Sequence, residues 1–396
     1  MSLPNELIDE ILCRLPVKPV LRFRCVSKGW CSLIDSNVFV KKHLKKTLEC
    51  NIGGGLIIKG GGGNFYLADF DSLDDASASA VQIDDPIKNL LVDSKFVGAS
   101  NGLICVCQKQ MNDVFLFNPA TKKSRKIANS PPHEFPTSFS QFEDYMCGFG
   151  YDQINDDYKV VKIAVCYSSR FRGITAFVYS LKTNAWTRIQ NIPSNIRFDS
   201  NIGIFASGSV HWMASKSPDI ADNIILGFDL QLQQFKEVPF PPITRALVNF
   251  NWKCLLGVGE CLCFTDNYPN SSMDVWLMKE YGAQNTWYKA FTVEQRSTFG
   301  SFKSFRPLAF SKSHSNVLLL EVDGKKLLWY DPDRKTVKKV RVRGIPVKCS
   351  SFYYTESLLQ LTEDKPLQKK PSKDKKEKNQ ATRRDGFLSK GFNLRL

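Results

Sequence analysis

Along the first fifty residues, apolar side chains recur with a helical period. Leu7, Ile8, Ile11, Leu12 and Leu15 fall at i, i+1, i+4, i+5 and i+8, which is one broad face of an α-helix. Pro4 suits the first turn, and Glu6, Asp9 and Glu10 lie near the positive end of the helix dipole. Leu15-Pro16 closes this helix, because the residue before a proline avoids the α region. Pro19 belongs to the first turn of a short second helix with Val20, Leu21 and Phe23. Ser27 is the N-cap of a third, which holds Trp30, Leu33 and Ile34. A fourth segment, SNVFVKKHLKKTL, ends in Lys41, Lys42, Lys45 and Lys46, the charge a helix C-terminus favours. The pattern stops near residue 48. So short a unit cannot easily bury so wide an apolar face by itself, which predicts that a partner covers it.

From about residue 50 the period changes to two. GLICVC, DVFLFN, YKVVKIAV, TAFVYSL, DVWLMKE, NVLLLEV and KLLWYD read as short strands punctuated by Gly, Asn, Asp and Pro. Aligned, they repeat one form: an apolar strand ending at a large residue, a polar turn, then a second strand. The anchors are Phe70, Phe117, Tyr179, Phe228, Leu277 and Tyr330, at steps of 47, 62, 49, 49 and 53 residues. A period near 50 with several strands per repeat predicts a kelch-like β-propeller of about six blades. The strand-like CSSFYYTESLLQL after the last anchor is placed to close the ring by joining the first or the last blade.

Charge changes this picture only at the ends. The net charge is +15, but residues 1–48 hold nine basic and four acidic side chains, and residues 364–396 hold eleven and four. The long middle carries 34 and 31, so it is nearly neutral and lacks the concentrated basic face of a nucleic-acid-binding domain. The last stretch is charged, poor in apolar residues and aperiodic. It reads as a disordered tail whose Lys369, Lys370, Lys373, Lys375 and Lys376 form a candidate nuclear-import signal. Three regions follow: a helical unit at 1–48, a mainly β propeller at 49–363 and a basic tail at 364–396. Twelve scattered cysteines, with no apolar leader and no run of 18 apolar residues, predict free thiols in a reducing compartment and no membrane span.

Few residues offer chemistry. The C-x-C pairs at 105–107 and 261–263 lack the spacing of a zinc knuckle and read as buried strand positions. The histidines His43, His133, His211 and His314 stand in neither a G-x-S-x-G nor an H-E-x-x-H setting, and His211 reads as structural. GGGLIIKGGGGNF fails the phosphate-loop spacing, because Gly61 rather than a lysine follows Gly60. The expectation is a non-catalytic chain with no cofactor and no metal.

LPNELIDEILCRLPVKPVLRFRCVSKGWCSLIDSNVFVKKHL resembles the F-box of plant F-box proteins. The matching elements are Leu3-Pro4, Glu6, Ile11-Leu12, Leu15-Pro16-Val17-Lys18, Leu21, the run Arg22 to Lys28, and Trp30. SNGLICV, FNPATKKSRKI, GFGYDQINDDYKVVKI, GSVHWMA, VWLMKEYG and YDPDRKTVKKV resemble the F-box-associated interaction domain of plant families that include the S-locus F-box relatives. Departures are Pro19, Gly29 and the glycine-rich run 53–63. The resemblance implies docking on a Skp-family adaptor, and through it on cullin and RING subunits, while the propeller holds an unknown protein substrate for ubiquitination. It favours Leu3, Pro4, Ile11, Leu12, Leu15 and Pro16 as adaptor-facing, in a wider adaptor-binding set with Leu7, Ile8, Leu21, Val26 and Trp30. Segments 128–147, 164–175, 213–223 and 264–274 are expected as long target-binding connections. Cytoplasm and nucleus are the expected locations, with no membrane and no specific nucleic acid among the partners. The alternative is an F-box scaffold acting outside the ligase in the nucleus, with weak nucleic-acid binding through the basic tail.

Overall fold

The computed structural model describes residues 4–361 except 61–62, 76–77, 84–93, 109–112, 132–141, 168–171, 194–195, 217–222, 243–252, 260, 269–270, 284–285, 295–301, 303 and 315. Four helices come first: α1 (Asn5–Cys13), α2 (Val17–Phe23), α3 (Lys28–Asp35) and α4 (Asn37–Glu49). Pro4 and Pro16 stand at the N-cap positions of α1 and α2. Ser27 caps α3 by accepting from Trp30 N–H at 3.1 Å, as its place before the apolar run predicts. Ser36 does the same for α4, accepting from Phe39 N–H at 3.2 Å.

Apart from one 3-10 turn (Asp71–Asp74), the regular structure in the rest of the described residues is strands, grouped in six sheets. Blade 1 takes β1 (Gly55–Gly60), β2 (Phe65–Asp69) and β3 (Ala80–Gln82). Blade 2 is β4 (Ser94–Ser100), β5 (Leu103–Gln108), β6 (Val114–Asn118) and β7 (Lys123–Lys126). Blade 3 is β8 (Phe142–Asp152), β9 (Asp157–Tyr167), β10 (Arg172–Ser180) and β11 (Ala185–Arg188). Blade 4 is β12 (Arg197–Phe198), β13 (Ile204–Ala206), β14 (Ser209–Ser215), β15 (Asn223–Asp229) and β16 (Gln234–Val238). Blade 5 is β17 (Lys253–Val258), β18 (Cys261–Tyr268), β19 (Ser272–Met278) and β20 (Trp287–Glu294). Blade 6 is β21 (Phe305–Phe310), β22 (Leu318–Val322), β23 (Lys326–Asp331) and β24 (Thr336–Val340), after which β25 (Cys349–Tyr354) returns to blade 1.

The repeat anchors mark one position in this architecture. Phe117, Tyr179, Phe228, Leu277 and Tyr330 lie on the third strand of their blades, Phe70 directly follows the third strand of blade 1, and all six are buried. The long step between Phe117 and Tyr179 reflects blade 3, whose β8 and β9 each run 11 residues. Blade 4 departs from the four-strand form. Its inner edge is split between β12 and β13 because residues 201–203 turn aside to bond Cys147 of the preceding blade.

The ring closes on the first blade: β25 pairs antiparallel with β1, from Gly55 opposite Tyr354 to Gly60 opposite Cys349. Two glycines of the unusual run allow this, since a Cβ on Gly54 would sit 2.8 Å from the Tyr353 hydroxyl and one on Gly55 2.6 Å from the Tyr354 ring. The innermost strands pack on one another in sequence around the axis. Apolar side chains fill the seams between blades, for example Ile57, Phe65, Ile104, Phe117 and Tyr354 between blades 1 and 2. Cys105, Cys107 and Cys263 are core residues, as expected, whereas Cys261 at the start of β18 is exposed.

The expected long loops are shorter than the spacing suggested. In 264–274, β18 runs to Tyr268 and β19 begins at Ser272, and β9 and β10 likewise take up most of 164–175. The remaining tips 132–141, 168–171, 217–222 and 269–270, with His133, lie outside the described residues, as do Leu3 and the tail lysines.

Candidate interaction surfaces

The helical unit has a core, and part of it comes from the far end of the chain. Leu12, Cys13, Val17, Val20, Ile34, Phe39 and Val40 bury one another together with Leu358, which lies beyond β25. His43, fully buried on α4, donates from Nε2 to the Leu15 carbonyl at 2.9 Å and faces the Thr47 hydroxyl at Nδ1, 3.4 Å away. Burial holds its pKa below the usual histidine value and keeps it neutral.

This packing sorts the apolar residues expected at an adaptor surface. Leu12 is 1 % exposed and belongs to the core, which corrects the expectation that it faces outward. Leu7 and Ile11, one turn apart on α1, are each 52 % exposed, and Val26 is 59 % exposed. Pro4 and Pro16 are exposed at the helix starts, while Ile8, Leu15, Leu21 and Trp30 are half-buried. Trp30 meets Phe23 edge to face at 5.6 Å. The helical period could define the stripe but not divide it, because which side of the stripe meets α4 and Leu358 is a tertiary matter.

The helical unit sits on one end of the propeller. Lys18 reaches Asp69 at 3.5 Å and Glu356 at 3.7 Å. Lys41 bonds Asp156 in the turn between β8 and β9, and Ala120, in the turn between β6 and β7, packs against the helical core. In blades of antiparallel strands these turns share one end of the ring, with the end of β2 and the segment after β25. The starts of the first and third strands and the ends of the second and fourth lie at the other end. The segment after β25 is held by Asn118, whose Nδ2 donates to the carbonyls of Ser357 at 3.0 Å and Leu359 at 2.9 Å. Gly102, at φ +85°, lets it lie close: a Cβ there would come within 2.1 Å of Ser357 Oγ. Sequence reading missed Leu358, Asn118 and His43 as parts of this assembly. The apolar pair Leu358-Leu359 just before the charged tail was the available signal.

A cavity of about 330 Å³ opens on the same end, lined by Asn101, Gln153, Ile154, Ser207, Gln231 and Gly259. Its acids are already engaged: Asp152 holds buried Lys159 at 2.7 Å, and Asp229 holds Lys236 at 3.2 Å. His211 is buried in blade 4, donating from Nδ1 to the Ile204 carbonyl at 3.1 Å and accepting at Nε2 from the Tyr281 hydroxyl at 2.6 Å. Burial drives its pKa down to about 4. Both ring nitrogens are occupied, so it is structural, as the sequence suggested.

A four-helix unit with an open apolar edge, seated on a closed six-bladed propeller, defines a two-part interaction protein. Residues 1–42 match the F-box domain family, and residues 63–361 match the F-box associated beta propeller domain family. The chain belongs to the F-box proteins that carry this propeller. F-box protein CPR1 of Arabidopsis thaliana is 34 % identical over the full length of both chains. F-box protein At4g22390 of the same plant is 30 % identical over 99 % of each. F-box/kelch-repeat protein At3g23880, also from Arabidopsis thaliana, is 30 % identical over 81 % of this chain and 85 % of its own. An F-box domain implies a Skp-family partner in general, and proteins of this kind are typically non-catalytic adaptors.

Proposed function

We propose that the chain is the substrate-recognition subunit of a Skp–cullin–F-box ubiquitin ligase. Its F-box docks on the Skp-family adaptor, which joins it to cullin and RING subunits. Its propeller holds the protein to be ubiquitinated. The observation that carries this reading is the exposed pair Leu7 and Ile11 on a helix whose opposite face is locked into a core shared with the propeller. Exposed aliphatic side chains beside Val26 form an apolar edge of the kind that desolvates on a partner. The chain performs no bond chemistry in this scheme. It raises the local concentration of target lysines near a charged conjugating enzyme, and a stiff junction between its two parts keeps that geometry reproducible.

The test is capture of a Skp-family adaptor by the full chain on co-expression. Leu7→Asp with Ile11→Asp abolishes capture and leaves the melting temperature within a few degrees, since both side chains already stand in solvent. Undiminished capture by that double variant overturns the reading. Localisation in cytoplasm and nucleus is part of the proposal, with the tail lysines 369–376 as the import signal. A fluorescent fusion lacking 364–396 that enters nuclei as well as the full chain overturns that part.

A further inference from the structure

Turns from four neighbouring blades surround the cavity of about 330 Å³ on the F-box end of the ring. Asn101 stands between β4 and β5, Gln153 between β8 and β9, Ser207 between β13 and β14, Gln231 between β15 and β16, and Gly259 between β17 and β18. The volume is that of a site for a small ligand or a single side group.

What these turns present is polar and uncharged. Asp152 accepts from the Ile154 and Asn155 backbone N–H groups at 3.1 Å each and from Lys159 at 2.7 Å. Asp229 accepts from the Gln231 and Leu232 backbone N–H groups at 2.9 Å each and from Lys236 at 3.2 Å. Each carboxylate is matched by a lysine and spent on its own turn, so neither sign of charge is on offer. The Gln153 and Gln231 side chains are exposed, and neither has a hydrogen-bond partner among the described residues. Each amide brings two donors and an acceptor oxygen. Gly208 and Gly259 leave the wall open between them, since a Cβ on either would meet nothing within 4 Å. Ring surface completes the lining: Phe205 and Tyr151 are both half-buried, and the Tyr151 hydroxyl is already given to Asp156 at 2.7 Å.

This lining selects by chemistry. A charged ligand finds its counter-ions already paired, and an apolar one would strip water from two amides with nothing in return. A peptide carboxamide brings polar atoms at one end only, whereas the amides here come from two different blades. A sugar ring carries donors and acceptors around its whole edge and a less polar face of ring carbons. We propose that the cavity binds a sugar ring, free or carried on a protein. Gln153 and Gln231 hydrogen-bond its hydroxyls, and its carbon face lies against Phe205.

The test titrates the full chain with glucose, galactose, mannose and N-acetylglucosamine up to tens of millimolar, read by saturation-transfer NMR. Expected is saturable binding of at least one sugar that added salt leaves unchanged and that is roughly tenfold weaker in Gln153→Ala and in Gln231→Ala. Both side chains stand in solvent, so both variants fold, and melting temperature verifies it. A serine peptide bearing one N-acetylglucosamine separates the two sources: binding tighter than the free sugar assigns a protein-borne ligand, and binding no tighter assigns a free one. No saturable binding of any of these sugars, free or peptide-borne, full-strength binding by both folded variants, or equal binding of the bare peptide overturns the proposal. Adaptor capture by the same chain is read in parallel, and its result bears on the ligase reading alone.

Discussion

The side-chain amide of Asn118 donates to the backbone carbonyl of Leu359 over 2.9 Å, across 241 positions of sequence. That bond ties blade 2 to the segment that follows the ring-closing β25 and completes the F-box core. Leu358 is 1 % exposed there, so ring closure and attachment of the F-box depend on the same few residues.

Leu358→Ala therefore removes a core side chain from a unit of four short helices. The expected cost is about 3 kcal/mol, with the F-box losing adaptor before the propeller melts. Urea unfolding followed beside adaptor capture checks this. A chain ending at residue 354 loses capture even though residues 1–48 are unchanged.

Gly102→Ala strikes the same segment from below. The new methyl group would meet Ser357 Oγ at 2.1 Å and Ser357 N at 2.8 Å, at a φ of +85° that alanine disfavours. Limited proteolysis after Tyr354 is expected to speed up in this variant, and unchanged cleavage counts against the strap as the joint.

At the closing seam, Glu321 accepts from Arg306 at 3.1 Å and from the Ser351 backbone N–H. Arg306→Leu leaves that carboxylate buried without its cation, at a cost of about 3 kcal/mol. Adding Glu321→Leu is expected to restore at least half of the lost stability. A double-mutant cycle on chemical denaturation reads both values.

His211 makes stability depend on pH. Its folded pKa of about 4 lies below its usual 6.5, so the unfolded chain takes up the proton first. The contribution is intact above that usual value and is lost as pH falls through 6.5 toward 4. Between pH 7 and pH 5 the loss is about 2 kcal/mol. His43 shifts in the same direction. The drop in urea midpoint over this range is expected to shrink in His211→Gln, measured against the wild type.

Much of this architecture is legible locally. Ser27 ahead of Trp30 announces a helix, and the burial of all six repeat anchors at equivalent places shows that one large residue per blade is a period the chain carries openly. The division of the helical stripe is not legible in this way. Ile11 and Leu12 are neighbours of equal hydrophobicity, yet one is 52 % exposed and the other 1 %. The sites of charge behave similarly: Lys159 and Lys162 stand three positions apart on β9, and among the described residues only the first has a carboxylate in contact.

By itself the sequence determined element type and a repeat of about six blades, because these follow from periods of two, 3.6 and about fifty that short-range sterics and burial impose, while the family resemblance rested on matching motifs. The tertiary structure alone decided which F-box residues remain open, that Leu358 fills its core, and that β25 closes on blade 1. Each of these depends on a partner far away in sequence, or on the absence of one, and a local pattern of apolar and polar positions holds no record of which distant group arrives.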